Sequence, residues 1–134
     1  AMSLLGTVPL IIADERRGKS STVAMAILLL LAGQLILAIA GYAVGSVLAA
    51  LAIFFAGFNF LEAGLPARLS IRATGNVRGA SLGVFASAQF LGAFAGGLIG
   101  GFLLASGNPA TVFAACALLS ATWLVAHRMV PVDR

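Results

Sequence analysis

The sequence predicts an all-α integral membrane protein: four transmembrane helices, preceded by the end of a truncated further span. Three observations carry this prediction. Of the 134 residues, 61% are hydrophobic and 9% are charged, whereas a soluble domain is about 45–50% apolar and about 25% charged. The chain therefore lacks the polar surface that a globule in water needs. The mean hydropathy is +1.10, and the apolar residues gather in four blocks, each near or above the roughly 20 residues required to cross a hydrocarbon core of about 30 Å. So much apolar material with so little charge excludes a disordered tail. The single cysteine excludes a disulfide framework or a thiolate metal cluster.

The chain opens on residues 2–13, a mostly apolar stretch containing Pro9, followed at once by Asp14-Glu15-Arg16-Arg17-Gly18-Lys19. This stretch is too short to span, and no basic region precedes it as a signal peptide requires. It reads either as an interfacial segment or as the tail of a truncated span. The abrupt apolar start and the charged loop behind it favour the second. The first full span is expected over 21–41, without a charge and with the core Ala26–Ala32 reading AILLLLA. The second is expected over 44–66, interrupted only by Ser46, Asn59 and Glu62. The third, 79–105, is long enough to tilt. The fourth, 109–130, begins on Pro109, a first-turn residue that loses no helical hydrogen bond there, and ends before Pro131.

The sequence pI of about 10.7 does not point to nucleic acid, because the basic residues are loop ends between apolar blocks and form no stripe. They report topology instead. Arg16, Arg17 and Lys19 precede the first span, Arg68, Arg72 and Arg78 lie between the second and third, and Arg128 and Arg134 end or follow the fourth. All eight fall on one side of the membrane, and the two opposite loops carry none. Under the positive-inside rule that side is the cytoplasm, and the C-terminus lies there. Tyr42 and Trp123 read either as aromatic-belt residues or as packing residues.

Span three holds Gly79, Gly83, Gly92, Gly96, Gly97, Gly100 and Gly101, each costing about 1 kcal/mol of helix propensity relative to alanine. At about 100° per residue they form two stripes on nearly opposite sides. Small-residue stripes let helices approach closely in lipid, so this helix is expected to be squeezed by neighbours on both. Gln89 shares an arc with Gly92, Gly96 and Gly100, and either bonds a neighbouring helix or lines a polar cavity. Gln34 and Ser120 invite the same two readings, with packing preferred. Glu62 is the one ionisable group deep in a span, and such groups face a bundle interior, a cavity or a partner charge. Two roles compete. As a proton carrier Glu62 alternates between neutral and charged forms; as a latch it stays ionised and pairs with Arg16, Arg17 or Arg68. Its place near the inner boundary favours the latch.

Templates for enzymes come up empty, and no cofactor or metal is expected. His127 is a lone interfacial histidine and Cys116 a small core residue, with no second histidine or cysteine to share a metal. The glycines of span three follow no strand, so a nucleotide loop is excluded.

These residues resemble the C-terminal part of a major facilitator superfamily transporter, most nearly the bacterial drug-efflux proton antiporters. The loop from Asp14 to Lys19 is similar to the superfamily's acidic-basic-glycine-basic signature. Phe58-Asn59-Phe60-Leu61-Glu62-Ala63-Gly64-Leu65-Pro66 resembles the end of helix ten, and Arg78-Gly79 with Gly83, Gln89-Phe90-Leu91-Gly92 and Gly96 to Gly101 resembles helix eleven. The resemblance covers the whole chain, from the end of helix eight through helix twelve of the C-terminal six-helix half. It implies an inner-membrane exporter working by alternating access, with a small-molecule substrate, protons, the lipid bilayer and the missing N-terminal half as partners. It makes Asn59 and Gln89 candidate cavity residues. It assigns Glu62, Asp14, Arg16, Arg17 and Lys19 to proton coupling or a cytoplasmic latch. Two rivals remain: a stand-alone dimeric small exporter, which the absence of a glutamate in the first full span disfavours, and a non-transporting scaffold whose glycines merely dock helices.

Overall fold

The computed structural model describes residues 19–40, 43–105 and 107–129. The protein is an all-α membrane protein: these residues form four long apolar helices, each able to cross a bilayer, and no strand. We number them α1 (Lys19–Ile39), α2 (Val44–Arg72), α3 (Arg78–Ala105) and α4 (Pro109–Met129). The apolar segment 2–13 and the loop residues Asp14, Arg16 and Arg17 lie outside the described residues, as does the side chain of Lys19.

Local chemistry explains the ends. α2 does not stop at Pro66 but runs through it to Arg72, 29 residues or about 43 Å at 1.5 Å per residue. That length carries Arg68 and Arg72 past a hydrocarbon core of about 30 Å, and a proline within a membrane helix is tolerated where neighbouring groups satisfy the freed backbone. A 3₁₀ turn, Gly75–Val77, then leads into α3. Between α3 and α4 the chain reverses at Gly107, whose φ of 119° lies where side chains are rarely accommodated. Asn108 caps α4: the Ala110 amide donates to its Oδ1 at 2.9 Å, and the Thr111 hydroxyl donates to its carbonyl.

The helices close a ring. α1 packs extensively along α2 and α4, whereas α3 approaches α2 and α4 sparsely and shares no close backbone approach with α1. The core accordingly sits on the α1 side, where Val23, Ala26, Ile27 and Leu30 meet Phe60 and Leu61 of α2, flanked by Phe54, Leu65 and Leu124. In lipid the chain tails are as apolar as leucine, so helices associate through close packing rather than by leaving water. The sequence meets this demand with small residues. A Cβ placed on Gly57 would lie 2.6 Å from the Ala26 carbonyl oxygen, and one placed on Gly33 would lie 2.9 Å from that of Ala50. Ala26 and Ala50 are themselves fully buried. Each helix thus presents a glycine and an alanine seven residues apart, and the antiparallel pairing sets each glycine of one against the alanine of the other.

Within this bundle the glycines of span three find no close neighbour. Among the described residues nothing lies within 4 Å of a Cβ placed on Gly79, Gly83, Gly92, Gly96, Gly97 or Gly101, and Gly100 meets only Val112 Cγ1 at 3.9 Å. No residue of α3 is buried, and Phe90, Phe94 and Phe102 expose the apolar surface that a lipid environment accepts. The squeezed glycines are Gly33 and Gly57, because contact depends on which face a neighbour occupies and not on how many glycines a helix holds. Gly57→Leu should therefore lower thermal stability in detergent strongly, overpacking costing about 1–3 kcal/mol or more. Gly96→Leu should change it little; melting followed by size-exclusion of the surviving fraction checks both.

Candidate functional site

The sparse packing of α3 leaves the middle of the ring open. A cavity of about 340 Å³ lies there, walled by all four helices. α2 contributes Phe58, Leu61, Glu62 and Leu65, spaced i, i+3, i+4 and i+7 and hence on one face. α3 contributes Phe85, Ala88 and Gln89, with the same i, i+3, i+4 spacing. Leu30 of α1 and Trp123 of α4 complete the wall. Glu62 is the one ionisable group in that lining and Gln89 the one amide. Leu61 beside it is buried in the α1–α2 core, while Glu62 is exposed to the cavity.

Glu62 also sits four residues before Pro66, which has no N–H to donate to the Glu62 carbonyl. Both its carboxylate and its backbone carbonyl therefore require partners from outside the helical ladder. On the adjacent turn the ring of Phe58 stacks on Phe54, with centroids 5.8 Å apart and planes at 12°, and Phe55 stands edge-on to both. This aromatic cluster fixes the ring that borders the cavity one turn before the acid.

Gln89 and Glu62 thus share one cavity, but Asn59 does not line it. A helical step of about 100° turns Asn59 away from the face bearing Phe58 and Glu62; it is half-buried and has a partner of its own. Arg68, one of the arginines weighed as a partner of Glu62, is not without a partner, and Arg16 and Arg17 lie outside the described residues. The other two polar residues weighed within spans meet each other: the Ser120 hydroxyl donates to Gln34 Oε1 at 2.8 Å, joining α4 to α1. Thr22, nearly fully buried in α1, has no hydrogen-bond partner among the described residues. Cys116 is exposed, not a core residue, and no group of metal-ligating side chains occurs among the described residues.

The aromatic wall, Phe58, Phe85 and Trp123, escaped the sequence reading. A signal was available: Phe58–Glu62 and Phe85–Gln89 repeat one spacing, an aromatic residue one helical turn before a polar one. A second hollow, about 460 Å³, lies between α3 and α4 and is bordered by Gly96, Gly97, Gly100, Gly101, Val112 and Phe113. No polar side chain enters it. Arg72 lies in the last turn of α2 and His127 and Arg128 in the last turn of α4, each favourable at the negative end of its helix dipole.

Two curated relatives align with part of the chain. Over 72 residues it is 39% identical to the inner membrane transport protein YajR of Escherichia coli (strain K12), covering 54% of this chain and 16% of the relative. Over 80 residues it is 34% identical to an uncharacterized transporter of Buchnera aphidicola subsp. Baizongia pistaciae (strain Bp), covering 60% of this chain and 20% of the relative. The chain therefore spans about a sixth to a fifth of the length of these relatives. No family model matches the chain, and no solved structure matches it.

The Ser120–Gln34 bond yields a quantitative expectation. A double-mutant cycle with Ser120→Ala and Gln34→Leu, read by reversible unfolding in mixed detergent micelles, should return a coupling energy near 0.6 kcal/mol, the average for such bonds in membranes.

Proposed function

We propose that this chain is part of a secondary active transporter of the bacterial inner membrane, a proton-coupled exporter of small molecules working by alternating access as in the major facilitator superfamily. The observation that carries this reading is the cavity, where one carboxylate and one amide face an otherwise apolar space among membrane helices. An ionisable group at such a position is expensive in lipid and serves function more often than packing. The names of both relatives, an inner membrane transport protein and a transporter, support the reading. So does the charge pattern. Arg68 and Arg72 near the end of α2, Arg78 at the start of α3 and Arg128 at the end of α4 belong to one end of an up-and-down bundle, which the positive-inside rule assigns to the cytoplasm together with the C-terminus.

In this reading Glu62 works within the cavity, taking up and releasing a proton as access alternates, and Gln89 orients the substrate from the facing helix. Of the residues that the resemblance assigns to proton coupling or a cytoplasmic latch, Glu62 takes the first role here and Asp14, Arg16, Arg17 and Lys19 the second. The partners are the bilayer, protons, a small molecule and the N-terminal half of the transporter. Against that half α3 lays glycine stripes that find no partner within the bundle. No covalent chemistry is asked of the protein, and its role is transport and not enzymatic.

The test is flux through the full-length protein in proteoliposomes under an imposed pH gradient, across a panel of organic substrates. Gradient-driven flux should appear in the native protein and fall at least about tenfold in Glu62→Gln, the equivalent of about 1.4 kcal/mol. No flux for any substrate would reject the transporter reading. Flux with unaltered pH dependence in Glu62→Gln would remove the acid from coupling.

A further inference from the structure

We infer that the connection between α2 and α3 is a headgroup site for anionic phospholipid, with Arg72 and Arg78 holding the lipid phosphate and Ile71 and Val77 meeting its apolar part. The site lies at the basic end of the bundle, apart from the cavity. It requires only that the helices cross the bilayer, and it holds whether or not the chain transports.

Helix length places the two arginines. The 29 residues of α2 extend about 43 Å, so its last turn stands beyond a hydrocarbon core of about 30 Å and within the headgroup layer. Arg72 ends α2 and Arg78 opens α3, and the 3₁₀ turn Gly75–Val77 lies between them. Both arginines are exposed. Beside each stands an exposed apolar residue, Ile71 at 80% and Val77 at 54%. Such a pairing of cation and apolar side chain suits the membrane surface, where the guanidinium meets phosphate and its neighbour reaches the acyl boundary.

Charge selects the headgroup. Between Glu62 and Asp133 the sequence holds no acid, and Glu62 lines the cavity. The remaining acids, Asp14, Glu15 and Asp133, are too few to neutralise the eight basic residues that the loop pattern assigns to this end. Arg78 also stands in the first turn of α3 with no acid there, where the helix dipole disfavours a cation and a bound anion relieves it. The planar fork of arginine matches phosphate oxygens in bidentate fashion. In phosphatidylglycerol the phosphate charge is uncompensated, whereas choline and ethanolamine headgroups carry an ammonium that the arginines repel.

Basic loops are attracted to anionic membranes in general, but this pair is more specific. Its two arginines belong to different helices, and those helices approach each other sparsely. A phosphate held by both ties α3 to α2 where the protein's own contacts are few, so binding stabilises the fold. Arg128 near the end of α4 also has an exposed apolar neighbour, Met129, yet it ends the last helix and flanks no turn. It is a control of equal charge.

The experiment uses the 134-residue chain in neutral detergent. The probes are phosphatidylglycerol and phosphatidylcholine of identical acyl chains, with glycerol phosphate as a soluble form of the anionic headgroup. Native mass spectrometry counts bound lipid, and thermal unfolding followed by circular dichroism reads its effect on the fold. Phosphatidylglycerol should bind saturably, at least about fivefold more tightly than phosphatidylcholine, and should raise Tm. Arg72→Gln and Arg78→Gln should each weaken it at least about fivefold, and the double variant by less than the product of the two, as one shared phosphate requires. Arg128→Gln should change it little. Equal binding of the two lipids would overturn the proposal, and this comparison in the native chain does not depend on any variant folding. An equal loss in Arg128→Gln and Arg72→Gln would reduce the site to diffuse attraction and overturn it. Full competition by glycerol phosphate would overturn it in favour of a soluble anion, and selective binding without a rise in Tm would overturn the bridge between α2 and α3.

Discussion

The glycine of α2 at position 57 lies against the backbone of Ala26, and the glycine of α1 at position 33 lies against that of Ala50; the rest of the structure depends on this antiparallel seam. In lipid no expulsion of water from apolar surface holds helices together, so a pair must gain its stability from contact density and from the few interhelical hydrogen bonds available. Gly57 and Gly33 let the two backbones approach until even one methyl group would collide with a carbonyl oxygen. Larger side chains then close around the contact, Ile27 wholly buried and Leu30, Phe60 and Leu61 nearly so. α4 joins the same side of the ring through Leu124 and the Ser120–Gln34 bond.

The cavity follows from that asymmetry. Three helices are drawn together about α1, and α3, anchored chiefly through its connections and sparse approaches, is left standing off. The space between α1 and α3 is the space that the seam does not fill. Its polar groups come from α2 and α3, which approach each other sparsely, while α1 and α4 supply Leu30 and Trp123 alone. A bundle with four equally tight contacts would have sealed Glu62 against apolar side chains, where a carboxylate has no way to be satisfied.

Much of this was legible in the residues. Four spans follow from hydropathy, because each must satisfy its backbone within itself, and the single acid of the spans was visible as the group needing an explanation. Gln34 and Ser120 were read as packing residues, and they bond each other. What escaped was the azimuth of each helix. The seven glycines of span three drew attention by number, yet contact depends on relative rotation, and isolated Gly33 and Gly57 make it. Their signature, a glycine and an alanine seven residues apart in two successive helices, becomes visible only when the helices are laid antiparallel. Adjacent residues differ by about 100°, so Phe58 and Glu62 border this cavity while Asn59 turns from it. The depth of Glu62 along its helix is readable from sequence, while its neighbours across the bundle are not.

Glu62 gathers two polar demands at a single residue. Its carboxylate lies among apolar side chains and aromatic rings, and its carbonyl loses the amide that would have come from position 66. A membrane helix tolerates a freed carbonyl only where water, a side chain or a ligand restores the bond, and it tolerates a carboxylate only on similar terms. If the two groups lay on different helices, either could be a packing accident of modest cost. Placed on one residue beside an open cavity, they make a dry interior the least stable arrangement for this part of α2. That turn of the helix accordingly stays open to the cavity, where Glu62 is exposed. The six residues beyond Pro66, which carry Arg68 and Arg72 outward, lead from that turn to the basic end of the bundle.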